Sequence, residues 1–182
     1  MPRFQHEDLT GSSPGTAKRL DGPGTLVAVD DGTTLRPAAD GDRPALLRIW
    51  RRAVEATHGF LTPADVDEIE EQVRAAALPA LALTVAQRSD GALLGWVGVH
   101  GDRRARAVRV EALFVDPAAH RLGVGTALLG AATPAMGRVE LDVNEQNPSA
   151  LAFYERHGFV RVGRSERDGE GRPFPLLHLR RG

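Results

Sequence analysis

Gly123 and Gly125 open an apolar stretch directly after a β-prone run, and that junction has the makings of an anion site. The segment Val110-Glu-Ala-Leu-Phe-Val-Asp-Pro-Ala-Ala-His-Arg-Leu-Gly-Val-Gly-Thr-Ala-Leu-Leu129 reads as a strand, a short loop and a helix. The first N–H groups of such a helix have no carbonyl to bond and point, with the positive end of the helix dipole, at one place. Glycines there let a phosphate reach the main chain with no Cβ in the way, so the loop suits a pyrophosphate. His120 and Arg121 add side-chain donors beside it. A tight strand–helix turn without a ligand carries the same signature. No Gly-Lys-Ser/Thr follows, which excludes a Walker loop, and a dinucleotide fingerprint needs a third glycine. Cysteine is absent and no serine lies in a Gly-x-Ser-x-Gly elbow, so neither nucleophile is on offer. Cysteine-based metal sites are excluded, His100 and His157 show no metal-ligand spacing, and no metal is expected.

The elements that must position this loop follow from periodicity. Leu46, Ile49, Trp50 and Ala53 share one helical face, with Asp40 or Asp42 as N-cap. Thr62-Pro63 starts a second helix that buries Val66, Ile69 and Val73. Leu81 to Ala86 and Ala92 to Val99 form a hairpin about Ser89-Asp90-Gly91, and Val108 to Val115 is the next strand. A helix over 123–132 follows. Val139, Leu141 and Val143 then alternate with Glu140, Asp142 and Asn144, the pattern of a half-buried strand. Pro148 to His157 is a helix ended by Gly158, and strands near 159–162 and 173–180 close the chain.

Residues 1–32 are rich in glycine, serine and proline and are expected to be a flexible tail, with 33–182 as one mixed α/β domain. Within the tail, Leu26 to Val29 lies before Asp31-Gly32, giving one extra strand near 26–30 in a hairpin, or a tail in which only the run from Thr33 is ordered.

Composition narrows the function. The chain has 182 residues, 42% of them hydrophobic, and a formal charge of −1. That balance offers no field for nucleic acid or an anionic membrane. No apolar run approaches the roughly 18 residues of a membrane span, and the first residues lack a signal-peptide core, so a cytoplasmic protein is expected. Lys18 is the only lysine among 23 basic residues.

The glycine loop gains meaning from a second segment, Leu141-Asp-Val-Asn-Glu-Gln-Asn-Pro-Ser-Ala-Leu-Ala-Phe-Tyr-Glu-Arg-His-Gly-Phe159. Together they resemble the GNAT superfamily of N-acetyltransferases over about 33–181. That family's pyrophosphate loop, Arg/Gln-x-x-Gly-x-Gly/Ala, is matched by His120-Arg121-Leu122-Gly123-Val124-Gly125, with His120 in the usual Arg/Gln position. Its later pattern is met by Asn147, Ala150, Phe153, Tyr154, Gly158 and Phe159. Ala56 to Leu61, Val143 to Asn147, Gly163 to Glu166 and Gly171 to Leu177 are similar to small bacterial members classed as peptidyl-lysine N-acetyltransferases.

The resemblance implies a mostly antiparallel mixed α/β (α+β) sheet of about seven strands, splayed in the middle, with about four helices. It implies acetyl-CoA as cosubstrate and direct transfer to a primary amine in a ternary complex. The acceptor is a protein lysine, or a small amine such as a polyamine, amino acid or aminoglycoside; a non-catalytic acyl-CoA-binding module is the other class, and a homodimer is a further possibility. Leu113, Phe114 and Val115 would pair with the pantetheine arm as a strand edge, His120 to Thr126 would hold the phosphates, and Asn147 would orient the arm. Tyr154, the only tyrosine, takes the general-acid position, and Glu111 is the candidate base. Against these stand a core-packed tyrosine, a surface glutamate paired with Arg109 or Arg138, and an N-capping Asn147. His58 and Phe60 fall where the family builds its acceptor wall. The acidic run Asp65, Asp67, Glu68, Glu70 and Glu71 is either a solvated helix face or a negative rim for a cationic acceptor.

Overall fold

In a computed structural model the apolar alternations become one twisted sheet with helices on both faces; residues 27–29, 32–102, 107–133 and 137–182 are described. Most of the expected tail lies outside these residues. The strands are β1 (Val27–Val29), β2 (Thr33–Pro37), β3 (Ala82–Arg88), β4 (Leu93–Asp102), β5 (Ala107–Val115), β6 (Arg138–Asn144), β7 (Val160–Ser165) and β8 (Leu176–Arg181). Their spatial order is β1-β2-β3-β4-β5-β6-β8-β7, and every neighbouring pair is antiparallel except β5–β6. The eighth strand, beyond the seven expected, is β1, which pairs with β2 through Val29 and Thr33.

The helices are α1 (Arg43–Thr57), α2 (Pro63–Gln72), α3 (Leu78–Ala80), α4 (Val124–Ala132) and α5 (Pro148–Arg156). A π-helical turn over Val73–Ala77 joins α2 to α3, so these two act as one arm. Thr62 caps α2 as expected: its hydroxyl accepts from the Asp65 N–H, and the Asp65 carboxylate accepts from the Thr62 N–H. Asp42 stands at the start of α1 but makes no side-chain cap. Its carboxylate instead bonds the Arg36 guanidinium and the Ala39 N–H, because an ion pair with a neighbouring strand outcompetes a local cap.

Two cores result. Leu113 and Val115 pack with Leu128, Leu141, Phe153 and Phe159 under α4 and α5. Phe114 points the other way, against Trp50 and Trp96 beneath α1, with ring centroids 6.4 and 5.2 Å away. The Trp96 indole N–H donates to the Leu46 carbonyl at 3.0 Å and locks α1 to β4. β5 is thus gripped from both faces.

The parallel pairing between β5 and β6 stops at Val110 and Leu141, although both strands run on. The sheet is forked there. In the same place the β4–β5 register jumps from Gly98–Ala112 to Val99–Val110, so Glu111 is the extra residue of a β-bulge. The half-buried reading of β6 is corrected: Asp142 and Asn144, on the face opposite Leu141, are also buried. Asp142 is partnered by Arg109 across the fork and His178 on β8, and Asn144 Oδ1 accepts from the Gln146 N–H, so a polar face is enclosed.

Candidate functional site

The fork and the loop that follows β5 bring the glycine motif to one end of the sheet. Asp116 steers the chain out of β5: its carboxylate accepts from the Ala118 N–H and bonds the Arg52 guanidinium of α1. Two residues of the loop are left-handed, Arg121 at φ 66° and Gly123 at φ 78°. Gly123 is the N-cap of α4 and gives it no side-chain cap. The helical ladder begins with Ala127 N–H to Gly123 C=O, which puts the N–H groups of Val124, Gly125 and Thr126 ahead of it. A Cβ built on Gly123 meets no atom within 4 Å, so this face of the loop is open. Arg121 and Leu122 are exposed, Val124 and Gly125 are buried, and His120 is half-buried with its Nε2 enclosed and without a hydrogen-bond partner among the described residues. Thr126 and His157 tie the loop to α5: the His157 Nδ1–H donates to the Phe153 carbonyl, which leaves Nε2 to accept from the Thr126 hydroxyl at 3.1 Å.

Beside the loop, the β6-facing edge of residues 111–114 lies outside the ladder. Leu113, Phe114 and Val115 are fully buried, and their side chains are plain core, as the sequence suggests. Asn147 caps α5, its Oδ1 accepting from the Ala150 N–H and the Ser149 hydroxyl, each at 3.0 Å. Tyr154 is fully buried on α5, with Phe153 and Phe159 edge-on to its ring at 5.1 and 5.5 Å. Its hydroxyl is enclosed as well.

Glu111 projects from the bulge with a side chain 16% exposed, and its Oε1 lies 3.1 Å from Arg109 Nε. Arg109 also reaches Asp142 at 2.5 Å, and Asp142 receives His178 at 2.6 Å. Sequence reasoning missed Asp142 and His178, because alternation alone assigns Asp142 to a solvated face.

His58 and Phe60 lie in the α1–α2 turn. The Thr57 hydroxyl donates to the Ala53 carbonyl, so it can only accept from His58 Nδ1, 2.8 Å away. Neutral His58 therefore carries its proton on Nδ1 and keeps a lone pair on Nε2, which is buried and unpartnered among the described residues. Its ring lies 5.4 Å from Phe60 in a tilted contact, and Phe60 meets Phe174 of the β7–β8 loop at 5.6 Å. Phe174 was not singled out in the sequence, although it falls within Gly171 to Leu177. Asp168 holds that loop by accepting from the Glu170 and Arg172 N–H groups and from Arg172 Nε.

Burial lowers the His58 pKa from its ordinary 6.5 to about 4. Between these values the unfolded chain binds a proton that the folded protein refuses, so acid favours unfolding. The stability this group contributes is complete above pH 6.5 and is lost by about 3 kcal/mol as the pH falls to about 4. Denaturant titrations of wild type and His58→Leu across that window check it: the wild-type curve falls more steeply, and parallel curves refute the assignment.

The acidic run is no bare rim. Arg51 pairs with Asp67 and Glu70, Arg74 with Glu70 and Glu71, and Glu68 lies 3.8 Å from Arg172. The Asp65 carboxylate caps α2, accepting from the Thr62 N–H and hydroxyl. No group of three or more metal-ligating side chains occurs among the described residues, and no described helix is long and apolar enough to cross a membrane.

Comparison with known proteins agrees with this geometry. Residues 54–175 match the acetyltransferase (GNAT) domain family. The chain is 40% identical over 134 residues to the peptidyl-lysine N-acetyltransferase YjaB of Salmonella typhimurium, covering 74% of this chain and 88% of that one. It is 36% identical over 146 residues to YjaB of Escherichia coli, covering 80% and 95%. The solution structure of the apo form of the Escherichia coli protein aligns with a TM-score of 0.70 over 81% of this chain and 96% of that one.

Proposed function

The chain belongs to the GNAT acetyltransferase family, and from that membership we propose that it moves an acetyl group from acetyl-CoA to the side-chain amine of a protein lysine. The observation that carries this reading is the fork itself. β5 and β6 part at Val110, directly before a bulged glutamate, and β5 then leads through a short loop to an open, left-handed glycine at the start of α4.

The residues fit the cosubstrate. The N–H groups of Val124, Gly125 and Thr126, with Arg121 and Leu122 at the rim and His120 behind, would hold a diphosphate. The edge at Leu113, Phe114 and Val115 would receive the pantetheine amides as a further strand would. Acetyl-CoA, when bound, supplies the acyl group as an activated thioester.

The chain's own groups do the rest. A lysine amine with a pKa of about 10.4 must lose a proton before it attacks, and Glu111, a carboxylate held by Arg109, takes it. A main-chain N–H near Val115 stabilises the negative charge that develops on the carbonyl oxygen. As the C–S bond breaks, Tyr154 gives a proton to the departing sulfur, and the second amine proton, lost as the amide forms, restores the phenol by way of solvent. His58, Phe60 and Phe174 form the wall along which the aliphatic stem of the acceptor lies.

The test is a panel of acceptors with acetyl-CoA: Nα-blocked lysine peptides, a polyamine, free amino acids and an aminoglycoside. CoA release is read with a thiol reagent, and the protein adds no background because it has no cysteine. Turnover of the peptides with an ε-acetyl product is the expected result. Turnover of small amines alone replaces the lysine reading, and no turnover on any amine overturns both.

A further inference from the structure

We propose that Asp142 and His178 are positioning residues for acetyl transfer, holding Arg109 across the apex of the fork so that Arg109 in turn fixes the Glu111 carboxylate. The inference rests on Glu111 acting as the base.

An unbroken polar chain crosses four strands: Ser165 on β7, His178 on β8, Asp142 on β6, then Arg109 and Glu111 on β5. Its links measure 2.7, 2.6, 2.5 and 3.1 Å. Val110 and Leu141 form the last rung between β5 and β6. Arg109 precedes that rung on one strand and Asp142 follows it on the other, so their ion pair spans the point at which the strands part. The Asp142 side chain is only 5% exposed and its two oxygens each meet a different donor. A buried carboxylate with both oxygens engaged has nowhere to move.

The guanidinium is a rigid plane, so pinning Nη2 to Asp142 sets the direction of Nε, and Nε is the atom that meets Glu111. Glu111 sits at a bulge, outside the β4–β5 register, and needs a partner to hold one rotamer. Glu140, the other carboxylate beside Arg109 on β6, does not compete, because Arg180 and Arg138 engage it at 3.1 and 3.7 Å. The network thus fixes the Glu111 carboxylate before the acceptor arrives.

A double-mutant cycle tests this, with acetyl-CoA and an Nα-blocked lysine peptide as probes. Glu111→Gln lowers kcat about a hundredfold. Asp142→Asn lowers it about tenfold and His178→Gln about threefold, with the KM for acetyl-CoA unchanged. In the Glu111→Gln background neither lowers kcat further, since both act through the group already removed. Losses that add in that background overturn the proposal and leave the base assignment standing. A Glu111→Gln enzyme at the wild-type rate overturns both. Should Asp142→Asn melt early, the half-exposed His178 carries the same cycle. An acetyl group found on Ser165 in quenched enzyme would make Ser165-His178-Asp142 a nucleophilic triad and overturn the positioning role.

Discussion

Tyr154→Phe lowers kcat about a thousandfold while the KM for acetyl-CoA and the melting temperature stay at wild-type values. The substitution deletes one oxygen and keeps the ring, so the edge-on contacts with Phe153 and Phe159 survive. Packing therefore predicts almost no change, and any large effect belongs to the hydroxyl. An ordinary phenol titrates near 10 and an ordinary thiol near 8.5, so handing a proton from one to the other is uphill by about 2 kcal/mol in free solution. Preorganisation has to cover that difference. The Tyr154 ring is held on α5 in a close-packed core, against Phe153 and Phe159. Steady-state kinetics of the pure variant check the expectation. A kcat within threefold of wild type makes Tyr154 a core residue and returns the proton to solvent.

That prediction was open to sequence reasoning because a single tyrosine in a recognisable helix has few other places to go. The same holds for the glycine loop, the second helix and the order of the strands. Each rests on local rules: an N-cap followed by proline, a glycine after a helix, an alternation of two. What the sequence could not show depends on neighbours far away in the chain. Asp142 follows the alternation of an outward-facing residue, yet it is enclosed because Arg109, 33 positions earlier, and His178, 36 positions later, converge on it. The Glu111 bulge is equally silent, since a register slip on β5 leaves no mark in composition or period. Phe174 joins His58 and Phe60 only because the Asp168 loop folds it back onto the α1–α2 turn. The fork has no local signal in either strand, and only the family resemblance implies it. Two adjacent strands of ordinary pattern simply cease to pair.

The other large effect falls on Gly123→Val, for which the KM for acetyl-CoA rises several hundredfold while kcat at saturation stays within a few-fold of wild type. Two separable costs are at work. Gly123 has φ 78°, and a β-branched residue forced into that region loses roughly 1–2 kcal/mol of stability. No atom lies within 4 Å of the added Cβ, so the unliganded protein accommodates the side chain with that strain alone, and melting falls by only a few degrees. The second cost appears on binding. A side chain at the mouth of the α4 N-terminus keeps the diphosphate off the N–H groups of Val124, Gly125 and Thr126, and losing about two charge-assisted hydrogen bonds at roughly 1.5–3 kcal/mol each accounts for the rise. Gly130→Ala is the control, being an exposed position within the same helix where a Cβ also meets nothing. It raises stability by about 0.5–1 kcal/mol through helix propensity and leaves the KM alone. If Gly123→Val loses stability yet binds acetyl-CoA as wild type does, the loop is an ordinary strand–helix turn and the phosphates are held elsewhere.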